Sequence, residues 1–142
     1  MAAHERRRSR RLDERPVKVL LDTHTLVWAL SDPEMLGAEA RAALAGSPFT
    51  ASVANLWELV LKSRRRGALV ADPLLWWERY VERTRIPTLA IRTVHIRALA
   101  GLPEFHKDPF DRILVAQALA EGLTLATKDA IFARYGAPVV WE

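Results

Sequence analysis

Five acidic residues occur in settings where their type and neighbours could do chemistry: Asp22, Glu58, Asp108, Asp111 and Asp129. Asp22 closes an apolar run, VKVLL, and Asp129 stands two residues past Thr127 at the end of another, LTLAT. Asp108 and Asp111 lie three apart in HKDPFDR, residues 106–112, and Glu58 sits in VANLWELVLKSRRR, residues 53–66. Carboxylates brought together repel one another and stay ionised only when a cation compensates them. An all-oxygen cluster selects a hard cation, Mg²⁺ or Mn²⁺. Such an ion binds phosphates and activates water, and a second ion about 3.5–4 Å away stabilises the leaving oxygen of an in-line displacement. The chemistry these residue types suit is phosphodiester hydrolysis.

Each acid also has a plainer role. Asp108 fits an N-cap, Pro109 the first helical turn, and Asp111 the N3 position, where an acid complements the helix dipole. On the helix of residues 53–66, Val53, Leu56, Trp57, Val60 and Leu61 make one wide apolar face, and Asn55, Glu58, Lys62 and Arg65 line the other. Glu58 and Lys62 are then an i, i+4 pair on a solvated stripe. Taken singly, these readings are sufficient; the positions of the strand ends decide between them and catalysis.

VKVLL (17–21), FTA (49–51), LTLAT (123–127) and PVVW (138–141) read as short buried strands, with IPTLAI (86–91) a further candidate. Helical stretches alternate with them at 23–30, 38–44, 53–66, 73–84, 94–102, 109–122 and 129–135. This alternation predicts an α/β domain, a central parallel sheet of four to five strands with helices on both faces. In such folds ligands gather beyond the carboxyl ends of the strands. Asp22 and Asp129 sit at such ends, and Ser52, which starts the helix after FTA, brings the first turns carrying Glu58 beside them. Asp111 joins them if residues 94–107 return the chain to that side.

The chain has 142 residues, half of them hydrophobic, and no cysteine, so a single packed domain is expected and neither disulfides nor thiolate metal sites are available. No apolar run reaches membrane-spanning length and no signal-peptide pattern follows the basic start, so a soluble cytoplasmic protein is expected. The net charge of +4 is concentrated at one end: residues 1–16 hold six arginines against Glu5, Asp13 and Glu14. That segment lacks hydrophobic periodicity and reads as a disordered basic arm, with the domain proper spanning 17–142.

LLDTHTLVWAL, ASVANLWELVLKSRRRGAL, HKDPFDRILVAQALAEGLTLATKDAIFARY and the closing VVW resemble the PIN-domain ribonucleases, in particular the VapC toxins of bacterial toxin–antitoxin modules. The resemblance implies a three-layer α/β/α PIN-like domain and a Mg²⁺- or Mn²⁺-dependent endoribonuclease. It assigns metal binding and catalysis to Asp22, Glu58, Asp111 and Asp129, and leaves Asp108, Thr127 and Ser52 as auxiliary: Asp108 as a cap, the two hydroxyls as donors to the acids or to a metal-bound water. It further implies an RNA substrate, a homodimer and a cognate VapB-type antitoxin that covers the acidic pocket, with apolar helices 53–66 and 73–84 beside it. Members of this family begin almost directly at the first strand. Residues 1–16 are therefore expected to be either a dispensable arm or an upstream translation from a mis-assigned start, Val17 being a residue whose codon can initiate in bacteria.

The same carboxylate chemistry serves DNA, so a DNase or structure-specific nuclease is the alternative enzyme. A receiver-like signalling module also gathers acids, a threonine and a lysine at strand ends, but IPTLAI ends in Ile91, Arg92 and Thr93 with no acid to accept phosphate. A haloacid-dehalogenase-type phosphatase needs an acid two residues after Asp22, where His24 stands. His24 and His106 flank the acids and are assigned at most a positioning role. Lys62, Arg64, Arg65, Arg66 and Arg112 are candidate phosphate contacts, although a charge run at a helix end is commonly a solvated terminus.

Overall fold

The computed structural model describes residues 18–46, 48–105, 108–136 and 138–140. The basic arm of residues 1–16, Val17, His106, Lys107 and Trp141 lie outside the described residues. Five strands form one sheet: β1 (Val19–Leu21), β2 (Phe49–Ser52), β3 (Thr88–Leu89), β4 (Thr124–Ala126) and β5 (Val139–Val140), in the order β3-β2-β1-β4-β5. Every pairing is parallel, with Leu20 opposite both Thr50 and Leu125.

The two faces of the sheet follow from the two-residue period of a strand. Leu20 and Leu125 point into one core with Ile113, Leu114, Phe132 and Tyr135. Val19, Leu21 and Ala126 point into the other with Leu26, Trp76, Trp77 and Val81. All three residues of β1 are buried, as a strand covered on both sides requires, and its VKVLL run has no polar residue after Lys18. The helices supplying the covers are α1 (Thr23–Ser31), α2 (Ala38–Gly46), α3 (Val53–Lys62), α4 (Pro73–Trp77), α5 (Thr93–Ala100) and α6 (Pro109–Glu121). The arrangement is three-layered, helix on sheet on helix.

The segments depart from the sequence reading in local ways. The stretch 73–84 is α-helical only to Trp77 and continues as a π-turn, Glu78–Glu82. Residues Ala130–Tyr135 form a 3-10 segment, too short to develop an α-helix before Gly136 turns the chain at φ 83. The helix expected over 53–66 ends at Lys62 and gives way to turns, with Gly67 at φ 75 reversing the chain.

The largest departure is in α3. Its buried residues are Ala54, Asn55, Glu58 and Leu59, while Val53, Trp57, Val60 and Leu61 are exposed, Trp57 at 54 % and Leu61 at 56 %. Of the polar stripe, Asn55 and Glu58 turn inward, against the plainer solvated alternative, while Lys62 is half-buried and Arg65 exposed.

Candidate active site

The inward turn of α3 is explained by the backbone ends it meets. A parallel strand leaves polar groups unpaired where it stops, and these need partners when they are buried. At the tip of β1 the Leu21 carbonyl accepts a bond from Asn55 Nδ2 at 3.2 Å. At the tip of β2 the Ser52 N–H donates to Asn55 Oδ1 at 2.7 Å, while Ser52 Oγ caps α3 by accepting from the Ala54 N–H at 3.0 Å. Asn55 thus ties α3 to two strands at once and fixes which side of the helix faces in. Glu58, one turn on from Ala54 and on the same side, is carried beneath the strand tips and is only 6 % exposed.

Glu58 is held at both oxygens. Thr23 Oγ1 donates to Oε1 at 2.5 Å, and the Lys62 ammonium lies 2.6 Å from Oε2. Asn55 Nδ2 in turn donates to Thr23 Oγ1 at 3.1 Å, so a buried chain runs from the Leu21 carbonyl through Asn55 and Thr23 to the carboxylate. Thr23 and Asn55 were not among the residues singled out from the sequence. A threonine directly after the strand-end aspartate and an asparagine three before the glutamate are the only signals that mark them.

The other acids are placed by caps. Asp22 accepts the Thr25 N–H at the start of α1 (2.9 Å), and its second oxygen takes the Thr127 hydroxyl at 2.5 Å. Thr127 Oγ1 also accepts the Asp129 N–H at 3.1 Å, linking the tips of β1 and β4. Asp129 caps the 3-10 segment through Ile131 N–H at 3.1 Å. Asp108 caps α6 by accepting the N–H groups of Phe110 (2.8 Å) and Asp111 (3.3 Å), as its sequence setting indicated. Its other oxygen lies 3.3 Å from Lys62 Nζ, so one lysine bridges α3 and α6.

Asp22, Glu58, Asp108, Asp111 and Asp129 line a single open cavity of about 380 Å³ at the carboxyl ends of β1 and β4, with His24, Lys62 and Lys128 on its walls. The question left by the sequence, which side of the sheet α6 starts on, is thereby answered: its first turn puts Asp111 on the same cavity as Asp22. Ser52 is not on its wall. Its hydroxyl is buried and donates to Gln117 Oε1 at 2.6 Å, so it serves the β2–α3 junction instead of the acids.

The electrostatics follow from crowding. Burial, and then the charges of Asp108, Glu58 and Asp22, push the Asp111 carboxyl up to about 8. Burial also raises Asp22, against the opposing hydroxyl bond from Thr127 and the bonds from Thr25. Asp108 is lowered: burial works against this, but the Asp111 N–H, the Lys62 charge and the Phe110 N–H outweigh it. Among the described residues no three Asp, Glu or His side chains already stand as a finished metal centre. Glu58 is engaged by Thr23 at one oxygen and by Lys62 at the other, which orients its carboxylate and leaves each oxygen a further lone pair.

The profile of the PIN domain matches residues 19–138. The chain is 32 % identical over 114 residues to ribonuclease VapC22 of Mycobacterium tuberculosis, an alignment covering 78 % of this chain and 86 % of that protein. Its fold is similar to that in VapBC from Salmonella typhimurium bound to DNA, with a TM-score of 0.64 at 18 % identity over 87 % of this chain and 97 % of that one. It is also similar to VapBC2 from Rickettsia felis bound to a fragment of its promoter, with a TM-score of 0.61 at 18 % identity over 89 % of this chain and all of that one. The chain belongs to the PIN-domain family.

Proposed function

We propose that the protein is a divalent-metal-dependent endoribonuclease, the toxin of a toxin–antitoxin pair. The observation that carries the reading is the convergence of Asp22, Glu58, Asp111 and Asp129, from four separate elements, on one cavity at the carboxyl ends of a parallel sheet. The relationship to ribonuclease VapC22 supplies the substrate class.

The residues fit a hard cation. The donors are all carboxylate oxygens; Asp111 is pushed to about 8 by burial first and then by the charges of Asp108, Glu58 and Asp22, and a bound Mg²⁺ or Mn²⁺ would relieve that repulsion. Asp22, Asp111 and Asp129 would hold the ion, with Glu58 completing the set. When bound, the ion would supply a polarised phosphate and a water acidic enough to attack it. The chain's own residues prepare that chemistry. Thr127 fixes the rotamer of Asp22, Thr23 and Lys62 fix that of Glu58, and the Asp108 cap fixes the turn that presents Asp111. Lys62, held between Glu58 and Asp108, brings a positive charge to the edge of the cavity, where a phosphate oxygen would arrive.

The partner reading rests on the exposed apolar side of α3. Trp57, Val60 and Leu61 are exposed on α3, and Leu74 and Leu75 on the neighbouring α4, more exposed large apolar side chains than a monomer working alone needs. A VapB-type antitoxin segment carrying apolar and basic groups would cover this surface and the acids next to it, and the family resemblance adds a homodimer and a cytoplasmic setting. The test is substrate choice: the purified chain with Mg²⁺ is offered a panel of single-stranded RNAs and the matching DNAs, and products are mapped. Cleavage of RNA at defined sites is expected. Cleavage of DNA alone would replace this reading with the DNase alternative.

A further inference from the structure

A second cavity, of about 180 Å³, adjoins the acidic one and shares three of its wall residues, His24, Glu58 and Lys62. Its remaining walls come from the turn after α3, above all Arg65 and Arg66. The chain there makes successive tight turns, with Arg65 N–H to Lys62 O and Ala68 N–H to Arg65 O at 3.1 Å each, and Gly67 reverses it. Leu69 is thereby folded back against the core that holds Leu59, and the exposed arginine pair lines the cavity that Glu58 also lines. Among the described residues neither Arg65 nor Arg66 takes part in an ion pair, whereas Lys62 is engaged by Glu58 and Asp108. Arg64, exposed like its neighbours, is not on the cavity wall.

We infer that this cavity is a phosphate subsite: Arg65 and Arg66 hold the backbone phosphate of the RNA next to the one being cut. The inference deepens the ribonuclease reading and rests on it. Its physical basis is a conflict that any acidic nuclease pocket faces. The carboxylates that gather a cation repel the rest of a polyanion, so the strand must be anchored by fixed positive charge nearby. Arginine suits that task because its planar fork gives bidentate bonds to phosphate. The C-terminal end of a helix repels anions through its dipole, so the backbone of α3 contributes nothing favourable here and the guanidinium groups must do the binding. The pair lines only the cavity at the α3 turn, while Lys128 is on the wall of the acidic cavity itself, so the arginines would hold the neighbouring phosphate on one side of the scissile linkage.

The experiment uses the full chain carrying Asp22→Asn, so that RNA binds without being consumed, and measures the affinity of a short single-stranded RNA by fluorescence anisotropy across a salt series. Adding Arg65→Ala and Arg66→Ala should weaken binding about tenfold and reduce the salt slope by about 0.7 for each phosphate that is no longer neutralised. Adding Arg64→Ala, which removes one charge from the same turn where the pair removes two, should change affinity less than twofold, against about threefold for Arg65→Ala or Arg66→Ala alone. An oligonucleotide with one neutral methylphosphonate linkage beside the cut should bind more weakly on one side only, and that penalty should vanish in the Arg65→Ala, Arg66→Ala variant. Equal effects of Arg64→Ala and of the pair would overturn the subsite in favour of a diffuse basic surface. So would unchanged affinity in the pair variant while the unmodified protein still cleaves RNA, an outcome that leaves the ribonuclease reading standing. A parent chain that neither binds nor cuts RNA overturns both.

Discussion

Helices α3 and α6 each deliver an acid to the same cavity, and they are oriented by different means. The inner side of α6 is mostly apolar: Phe110, Ile113, Leu114, Val115, Ala116 and Ala118 are buried with one polar residue, Gln117. Its acid, Asp111, rides in the first turn, set by the Asp108 cap and independent of the core behind it. The inner side of α3 carries Asn55 and Glu58 beside Ala54 and Leu59, while Val53, Trp57, Val60 and Leu61 face out. Polar bonds to the strand tips act together with the burial of Ala54 and Leu59 to set its rotation. Burying such a face costs stability unless every group is bonded. A fold that retains one gains precise placement of Glu58 and a free apolar surface on the opposite side.

The largest expected effects fall on the two acids themselves. Glu58→Gln and Asp111→Asn should each lower RNA cleavage by about 10²–10³-fold, with circular dichroism unchanged. If one amide retained activity, the equivalence of the two acids would fail. The next effect separates the helices by stability. Leu114→Ala in α6 should cost about 2–4 kcal/mol in denaturant unfolding, because it opens a fully buried site. Leu61→Ala in α3 should stay within about 0.5 kcal/mol, since that side chain is 56 % exposed, and should instead weaken the complex with the antitoxin.

Thr23→Val sharpens the account of α3. It removes the hydroxyl that holds Glu58 Oε1, so cleavage should drop about tenfold with only a modest fall in melting temperature.

The acids also predict a pH dependence for the metal-free protein. Because the Asp111 carboxyl is raised to about 8 in the folded state, the folded chain binds that proton more tightly than the unfolded chain does. The stabilisation is complete below the unfolded carboxylate value and is lost as pH rises toward about 8. Asp108, which is lowered, acts in the opposite sense, contributing above its unfolded value and losing that contribution at acid pH. The melting temperature without metal should therefore fall between pH 5 and pH 9, and Asp111→Asn should flatten that fall and raise stability at the alkaline end. A steeper fall in the variant would contradict the crowding of the acids. The smallest effect is expected at the arm: removing residues 1–16 should leave melting temperature and metal dependence unchanged and alter RNA affinity only at low salt.

Much of the fold and site was legible because it depends on local pattern. Alternating apolar runs and helical stretches indicated the layered parallel sheet, and the acids at strand ends followed from the rule that such sheets bind at their carboxyl edge. Asp108 as a cap needed only Pro109 and Asp111 beside it. The rotation of α3 was not legible, because periodicity reveals that a helix has two faces without saying which one turns inward. That choice depends on Asn55 meeting strand tips far away in sequence, Leu21 among them. The assignment of Ser52 as a donor to the acids missed for a related reason: its hydroxyl finds Gln117, 65 residues away, and no local pattern encodes that pair.

The central claim is that the clustered carboxylates make a metal-dependent ribonuclease. It is tested most directly by following cleavage of a single-stranded RNA while Mg²⁺ is titrated against EDTA, for the unmodified chain and for Asp22→Asn at equal concentration. Cleavage should rise with free Mg²⁺, stop in excess chelator and return when Mg²⁺ or Mn²⁺ is restored, with Asp22→Asn nearly inactive throughout. Undiminished cleavage in chelator, or full activity in Asp22→Asn, would contradict it.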